Sequence, residues 1–413
     1  MRSTLAAIIG AMTIVIAPLA GQTPPAFSPI DVRIPVPPRP FVAGGATHLV
    51  YELHITNLSS RATTLETIDV MDRSASPDTA PLLRLEADAL EAALRLLGAP
   101  PDATEKRVLP GGRTALVFVW VTLRAGTVPT ALAHRFAIRL KSPDEAAHSA
   151  DAHATRVTDE TALVVHGVDV VVSKREPRVI GPPLEGDHWL AANGPGNGPD
   201  HRRTLLALAG EGRIAQRFAI DWVRLFEDGR TFRGDPRDNA SYRAFGAKVL
   251  GVADGIVLDT LDGLSENVPD PVARAVPITP TTVSGNYVLV DLGDDAYAVY
   301  GHLQPGSLTV KRGDRVRRGQ TLALVGNTGN SSEPHLHFHM ADRPRPIDAE
   351  GVPYAFAVFG LEAAPDLVTP TMKPVGGSLE IDSSSLARWW AAPPQRRERE
   401  IPLLNALVTF LNR

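Results

Sequence analysis

Gly326-Asn327-Thr328-Gly329-Asn330-Ser331-Ser332-Glu333-Pro334-His335-Leu336-His337-Phe338-His339 is the stretch on which the chain turns. A Gly- and Ser-rich loop runs into Pro334, and three histidines then alternate with Leu336 and Phe338. Successive side chains of a β-strand point to opposite faces. The spacing therefore predicts a strand with His335, His337 and His339 on one face and the apolar pair on the other. Imidazole is the commonest protein ligand for metals and is neutral near pH 7, so the pattern marks a metal-site candidate. A strand with a polar face also carries histidines without any metal. Residues i and i+2 of a strand lie roughly 6.6 Å apart, whereas zinc–nitrogen bonds are about 2.0–2.1 Å. One ion does not readily take His335 and His339 together, so further ligands must come from elsewhere in the chain.

At 413 residues the length allows two or three domains with ample core. A hydrophobic content of 44% with 21% charged residues is that of a soluble globular protein. The net charge of -4 speaks against a nucleic-acid partner. With 36 Pro and 34 Gly, turns and β-structure are favoured over long helices. The absence of cysteine excludes disulfides, thiolate zinc sites and Cys nucleophiles together. Any metal site must then be built from His, Asp and Glu.

Residues 1–21 read as a secretory signal: Arg2 precedes the apolar run Leu5 to Ala17, and Ala20-Gly21 offers small residues for cleavage. An uncleaved anchor is the alternative. No other stretch is apolar enough to span a bilayer, so the mature protein is expected to be exported, periplasmic or extracellular, with no transmembrane segment. Alternating segments at 48–56, 64–70, 113–123, 134–140 and 161–173, joined by turn residues, predict an antiparallel β-sandwich of immunoglobulin-like type over 22–175. A helical insertion is expected at Leu82 to Leu97. No chemistry is evident in this domain, whose scattered histidines read as core or solvated groups.

A Gly/Pro-rich linker is expected at 176–199, and a second domain at 200–360. Its start reads as a hairpin, 201–209 against 213–223, turning at Gly210-Glu211-Gly212. In that register His201 lies opposite Asp221, with Cβ atoms about 4.5–5.5 Å apart, which suits two ligands of one ion. A one-residue slip would spoil the pairing. Two short strands are expected around Asp254-Gly255, and a hairpin at 286–292 and 296–302 delivers His302 at a strand end. Residues 361–413 are expected as a C-terminal extension, with a short helix at Ser383 to Trp390 and an apolar segment at Ile401 to Leu411 that docks onto a domain.

The stretch from Gly246 to Phe338 resembles the lysostaphin/LytM-type zinc metallopeptidases, whose fold carries the duplicated hybrid motif. The matching residues are Gly246-x-x-Val249, Asp254-Gly255-x-Val257, Gly285-Asn286-x-Val288, Tyr300-Gly301-His302-Leu303, Gly313-Asp314-x-Val316-x-x-Gly319-Gln320, Gly326-Asn327-Thr328-Gly329 and Pro334-His335-Leu336-His337-Phe338. They follow in the family's order over less than half of the chain. The resemblance implies an antiparallel-sheet metallopeptidase domain; with the immunoglobulin-like sandwich, which lies outside the resemblance and is read from the alternation, the chain is expected to be mainly β. It implies an endopeptidase that cuts peptide bonds in the bacterial wall polymer peptidoglycan. It further implies that Asp221 and His337 are zinc ligands and that His302 and His335 assist catalysis.

One position departs from the family. Its HxxxD motif reads here Arg217-Phe218-Ala219-Ile220-Asp221. Guanidinium offers no lone pair, so Arg217 is no ligand; binding a substrate carboxylate is an alternative use. Either His201 supplies the missing ligand, giving one Zn2+ per chain on His201, Asp221 and His337, or the site is degenerate and the chain is a wall-binding or regulatory protein. His339 stands where the family usually has Glu and is read as a strand-orienting group or second-layer donor. Peptidoglycan peptides are the expected partner, and the sandwich is a candidate surface for a protein partner.

Overall fold

The computed structural model describes residues 28–76, 78–100, 104–123, 128–141, 161–364, 370–372, 379–381, 390 and 392–411. The expected signal, and the expected helix up to residue 389, lie outside them. The first unit contains β1 (Ile30–Arg33), β2 (Phe41–Ala43), β3 (Ala46–Asn57), β4 (Thr63–Asp72), β5 (Leu83–Glu86), α1 (Ala87–Ala93), β6 (Leu94–Leu96), β7 (Val108–Leu109), β8 (Thr114–Leu123), β9 (Ala131–Leu140), β10 (Thr161–His166) and β11 (Val170–Val171). One sheet runs β1-β3-β8-β6 with β2 on β3. The other runs β10-β9-β4-β5 with β11 on β9 and β7 on β4. The alternation that predicted the strands also builds the core. Leu49, Tyr51, Leu53 and Ile55 of β3 pack with Val117 and Val119 of β8 against Ile68 and Val70 of β4 and Phe136 of β9.

The helix expected from Leu82 to Leu97 shrinks to α1, which lacks a side-chain N-cap. Strand pairing claims its flanks. Leu83 and Leu85 pair with Val70 and Ile68 of β4, and Leu94 and Leu96 pair with Val117 and Ala115 of β8. For a helix this short and uncapped, tertiary pairing outweighs apolar spacing.

The second unit contains β12 (Arg178–Ile180), β13 (Gly186–Ala192), α2 (Asp200–Arg203), β14 (Leu206–Leu208), β15 (Glu211–Arg213), β16 (Ile220–Arg224), β17 (Lys248–Leu250), β18 (Gly255–Leu261), β19 (Asn286–Asp291), β20 (Tyr297–Leu303), β21 (Arg315–Val316), β22 (Thr321–Leu324), β23 (Leu336–Ala341), β24 (Tyr354–Ala363), β25 (Pro370–Met372), β26 (Leu379–Ile381), β27 (Gln395–Glu400) and β28 (Leu407–Phe410). Its main sheet runs β12-β24-β28-β13-β16-β23-β20-β19-β18-β21, with β27 on β24. Its pairs are antiparallel except β12 with β24.

Several sequence expectations are corrected here. The stretch 176–199 is no free linker, because it supplies β12 and β13. Residues 361–411 are no appendage, because β28 lies between β24 and β13 and buries Leu407, Val408 and Phe410. The strands around Asp254-Gly255 exist as β17 and β18, but β17 pairs with β22 and β18 with β19 and β21. The hairpin proposed to join His201 to Asp221 does not form. The actual turn sits at Ala209-Gly210, both at positive φ (50° and 87°), as a two-residue hairpin loop requires. It pairs only β14 with β15.

The two units meet on the second face of β3 and β8. His48, Val50 and Glu52 are buried there, as are Leu116 and Phe118, the latter two packing on Ile214.

Candidate metal centre

Strand pairing places the first part of the site. β16 lies between β13 and β23, so Asp221 is the direct cross-strand partner of His337. On the other side of β23, His337 pairs with Gly301, which brings in His302 beside it. Leu336, Phe338 and Met340 point the other way into the core, as the alternation requires. His335 stands just before β23. His302 adopts φ = 60°, an unusual conformation for a residue other than glycine. Its backbone N–H is held by the Ser284 carbonyl at 2.9 Å.

His201 arrives by another route, on α2. Its Nε2 lies 3.3 Å from Asp221 Oδ2, while His337 Nδ1 lies 2.8 Å from Asp221 Oδ1. The donor atoms of His201, Asp221 and His337 all fall within 4.8 Å of one another. His335 Nε2 is 3.4 Å from Asp221 Oδ1. The His302 and His335 rings are 4.8 Å apart, centre to centre.

The hydrogen bonds fix which edge each ring turns inward. A carbonyl only accepts, so a ring nitrogen facing one carries the proton. His201 Nδ1 donates to the Asn193 carbonyl (2.9 Å), His302 Nδ1 to the Thr328 carbonyl (2.7 Å) and His335 Nδ1 to the Glu333 carbonyl (2.8 Å). His339 Nε2 donates to the Pro346 carbonyl (3.0 Å), which leaves its Nδ1 as an acceptor 3.0 Å from His337 Nε2. His337 then donates from Nε2 and turns the lone pair of Nδ1 towards Asp221. In the neutral rings, lone pairs of His201 and His337 converge on one carboxylate. That is a donor set for a cation.

The electrostatics agree. Burial pushes His201 down to about 4, so it is neutral at pH 7. Burial, then His335 and His337, hold His302 well below the ordinary imidazole value. For Asp221 burial alone would raise the carboxyl, but His201 and His335 beside it keep it well below the usual range. For His335 burial acts downward, and the Asp221 charge and hydrogen bond lift it above the ordinary value. Tetrahedral ligands about 2.0–2.1 Å from zinc lie about 3.3 Å apart; the His201–Asp221 separation of 3.3 Å matches that and the His337–Asp221 separation of 2.8 Å is shorter. The donor set of two imidazoles and one carboxylate fits zinc.

Arg217 points out of the site. Its guanidinium donates to Glu52 (2.9 and 3.2 Å), to Glu350 (2.8 Å) and to the Gly351 carbonyl (3.0 Å). Being 4% exposed and fully occupied, it is not placed to bind a substrate carboxylate. Sequence reasoning missed Asn193, whose carbonyl orients His201 and whose amide donates to Asp221 Oδ2 at 3.3 Å. The one sequence signal available is an Asn opening a Gly/Pro-rich loop, a residue that tolerates the left-handed conformation it adopts here (φ 49°). The Gln216 amide, 3.4 Å from His337 Nε2, was also missed and carried no signal.

Among the described residues, no helix is long and apolar enough to cross a membrane. Residues 241–349 match the family described as Peptidase family M23. That segment contains His302, His335, His337 and His339 but neither His201 nor Asp221. The chain is 40% identical over 77 residues to "Peptidoglycan DD-endopeptidase ShyA" of Vibrio cholerae, covering 18% of this chain and 17% of that protein. It is 33% identical over 150 residues to "Cell division protein DipM" of Caulobacter vibrioides, covering 35% of this chain and 21% of that protein. The chain thus spans about a fifth or less of either relative. Among solved structures, the catalytic domain of lysostaphin from Staphylococcus simulans is similar at 20% identity and a TM-score of 0.20, over 38% of this chain and 80% of that one.

Proposed function

Residues 241–349 form a peptidase family M23 domain, and from that premise we propose that the chain is an exported, zinc-dependent endopeptidase hydrolysing peptide bonds in bacterial peptidoglycan. His201, Asp221 and His337 hold one zinc ion. The observation that carries this reading is the convergence of the His201 and His337 lone pairs on Asp221, each set by a hydrogen bond on the far side of its ring. When bound, zinc acidifies a coordinated water and polarises the scissile carbonyl.

His302 and His335 do the proton work. Each spends Nδ1 on a backbone carbonyl, and His335 turns Nε2 towards Asp221. One imidazole takes the proton of the attacking water. It returns that proton to the departing amine, while the other imidazole donates a hydrogen bond to the oxyanion of the tetrahedral intermediate. The peptidoglycan substrate is supported by the named activity of the Vibrio relatives, carried over on the strength of the shared segment.

The test is metal analysis of the purified protein, followed by incubation with peptidoglycan sacculi with and without a chelator. One zinc per chain and chelator-sensitive release of muropeptides are expected. A protein that carries no zinc and releases nothing would instead be the wall-binding or regulatory member of the fold.

A further inference from the structure

We propose that the N-terminal unit is a working part of the metal centre: through Glu52 and Phe118 it holds the helical turn that carries His201, so the docking of the two units decides whether the third ligand is in place. This rests on His201 being a ligand, as proposed above.

Asp221 and His337 are held by the β16–β23 ladder and need no outside help. His201 has no such ladder. It stands on α2, four residues long with no side-chain cap. A turn that short has no stability of its own, so its position is set by what it touches. Arg202, 1% exposed, forms an ion pair with Glu52 of β3 and donates Nη2 to the Tyr51 carbonyl at 3.0 Å. Its guanidinium also lies 5.1 Å from the Phe118 ring of β8. Arg203 sits 4.8 Å over the same ring and donates to the Ala92 carbonyl of α1. Arg95 of β6 donates to the Arg203 carbonyl at 2.6 Å. Asn197, just before the turn, donates to the Phe118 carbonyl at 2.7 Å. Each of these anchors belongs to the first unit.

Glu52 is shared. Its carboxylate is ion-paired with Arg202 and accepts hydrogen bonds from Arg217, and Arg217 continues to Glu350. Buried charges of this kind hold together as a set, because removing one partner strands another in a low-dielectric interior. The units therefore separate only by exposing the whole cluster to water. Such a separation releases α2, and with it His201, while Asp221 and His337 stay on their strands. The arginine at position 217 and the histidine at position 201 are thus two ends of one arrangement centred on Glu52.

The test uses the full chain and two substitutions on the turn. Arg202→Met removes the clamp but leaves Glu52 paired with Arg217. Arg203→Ala removes the half-exposed ties to Ala92 and Phe118. Zinc affinity is read by chelator competition, and ligand geometry by the visible spectrum of the Co2+-loaded protein. His201→Ala sets the floor, Arg217→Met tests damage to the interface away from α2, and circular dichroism checks folding. The expected result is zinc binding about 10- to 100-fold weaker in Arg202→Met, a smaller loss in Arg203→Ala, and a Co2+ spectrum shifted towards that of His201→Ala. Arg217→Met weakens the same cluster but leaves Arg202 on Glu52, so its loss should be smaller than that of Arg202→Met. Should Arg202→Met fail to fold, Arg203→Ala decides by the same readings. A folded turn variant binding zinc within twofold of wild type overturns the inference, as does an equal loss in Arg217→Met. Unchanged affinity in His201→Ala would instead overturn the ligand assignment itself.

Discussion

His337 Nε2 and His339 Nδ1 lie 3.0 Å apart, and the far nitrogen of His339 is spent on the Pro346 carbonyl. The proton between the two rings therefore belongs to His337, and its Nδ1 lone pair faces Asp221. Replacing His339 with Phe removes the acceptor and frees the His337 tautomer. Zinc affinity is expected to fall about 10- to 100-fold, and His339→Gln, whose amide oxygen can accept, should recover part of it. Nitrogen-15 NMR of His337 reads the tautomer directly, and an unchanged tautomer in His339→Phe would refute this chain of hydrogen bonds.

His302→Ala and His335→Ala should each keep bound zinc yet lose about 10²- to 10⁴-fold in peptide hydrolysis, the range for a positioned acid or base. Metal content and muropeptide release are measured on the same sample. Loss of zinc from either variant would move that residue from proton transfer to ligation.

Arg217→His should not rebuild a metal ligand, even in a His201→Ala background. The side chain at 217 is directed into the Glu52 and Glu350 carboxylates, away from Asp221. The double variant is expected to bind no zinc and to be less stable than wild type by about 3–5 kcal/mol, the cost of breaking a buried pair. Zinc titration beside urea unfolding checks both statements.

Glu266 gives a pH dependence. Burial pushes its carboxyl from 4.5 up to about 7, against a hydrogen bond from the backbone N–H of Asn327. The folded protein thus binds a proton that the unfolded chain has already released. Stability from this group is fully present below about pH 4.5 and is lost as pH rises through 7. Glu266→Gln removes the titration, so the variant should gain on wild type in urea midpoint between pH 5 and 8. A constant offset across that range would show that Glu266 ionises normally.

Much of the strand content was legible in the sequence because its cause is local. Period-2 alternation marked β3, β4, β8, β9, β19 and β20, and the His-Leu-His-Phe-His run announced both faces of β23. Sheet partners were not legible. β17 and β18 read as neighbours because they adjoin in sequence, yet each pairs elsewhere. The segment 176–199 read as a linker because of its Gly and Pro content, and 401–411 read only as an apolar segment docking onto a domain, although both supply strands to the main sheet.

His201 shows the division most clearly. The sequence alone determined that position 217 offers no ligand, which follows from residue chemistry; naming His201 in its place rested on a hairpin register. It assigned the wrong geometry, a hairpin, because register over a Gly-rich turn is underdetermined by pattern. Only the tertiary structure decided how His201 reaches Asp221. It does so from a four-residue turn whose position comes from contacts with β3, β6, β8 and α1, with its Phe118 and Tyr51 carbonyl anchors 79 and 151 residues away. Contacts over that separation depend on how two cores dock, and no local propensity encodes that.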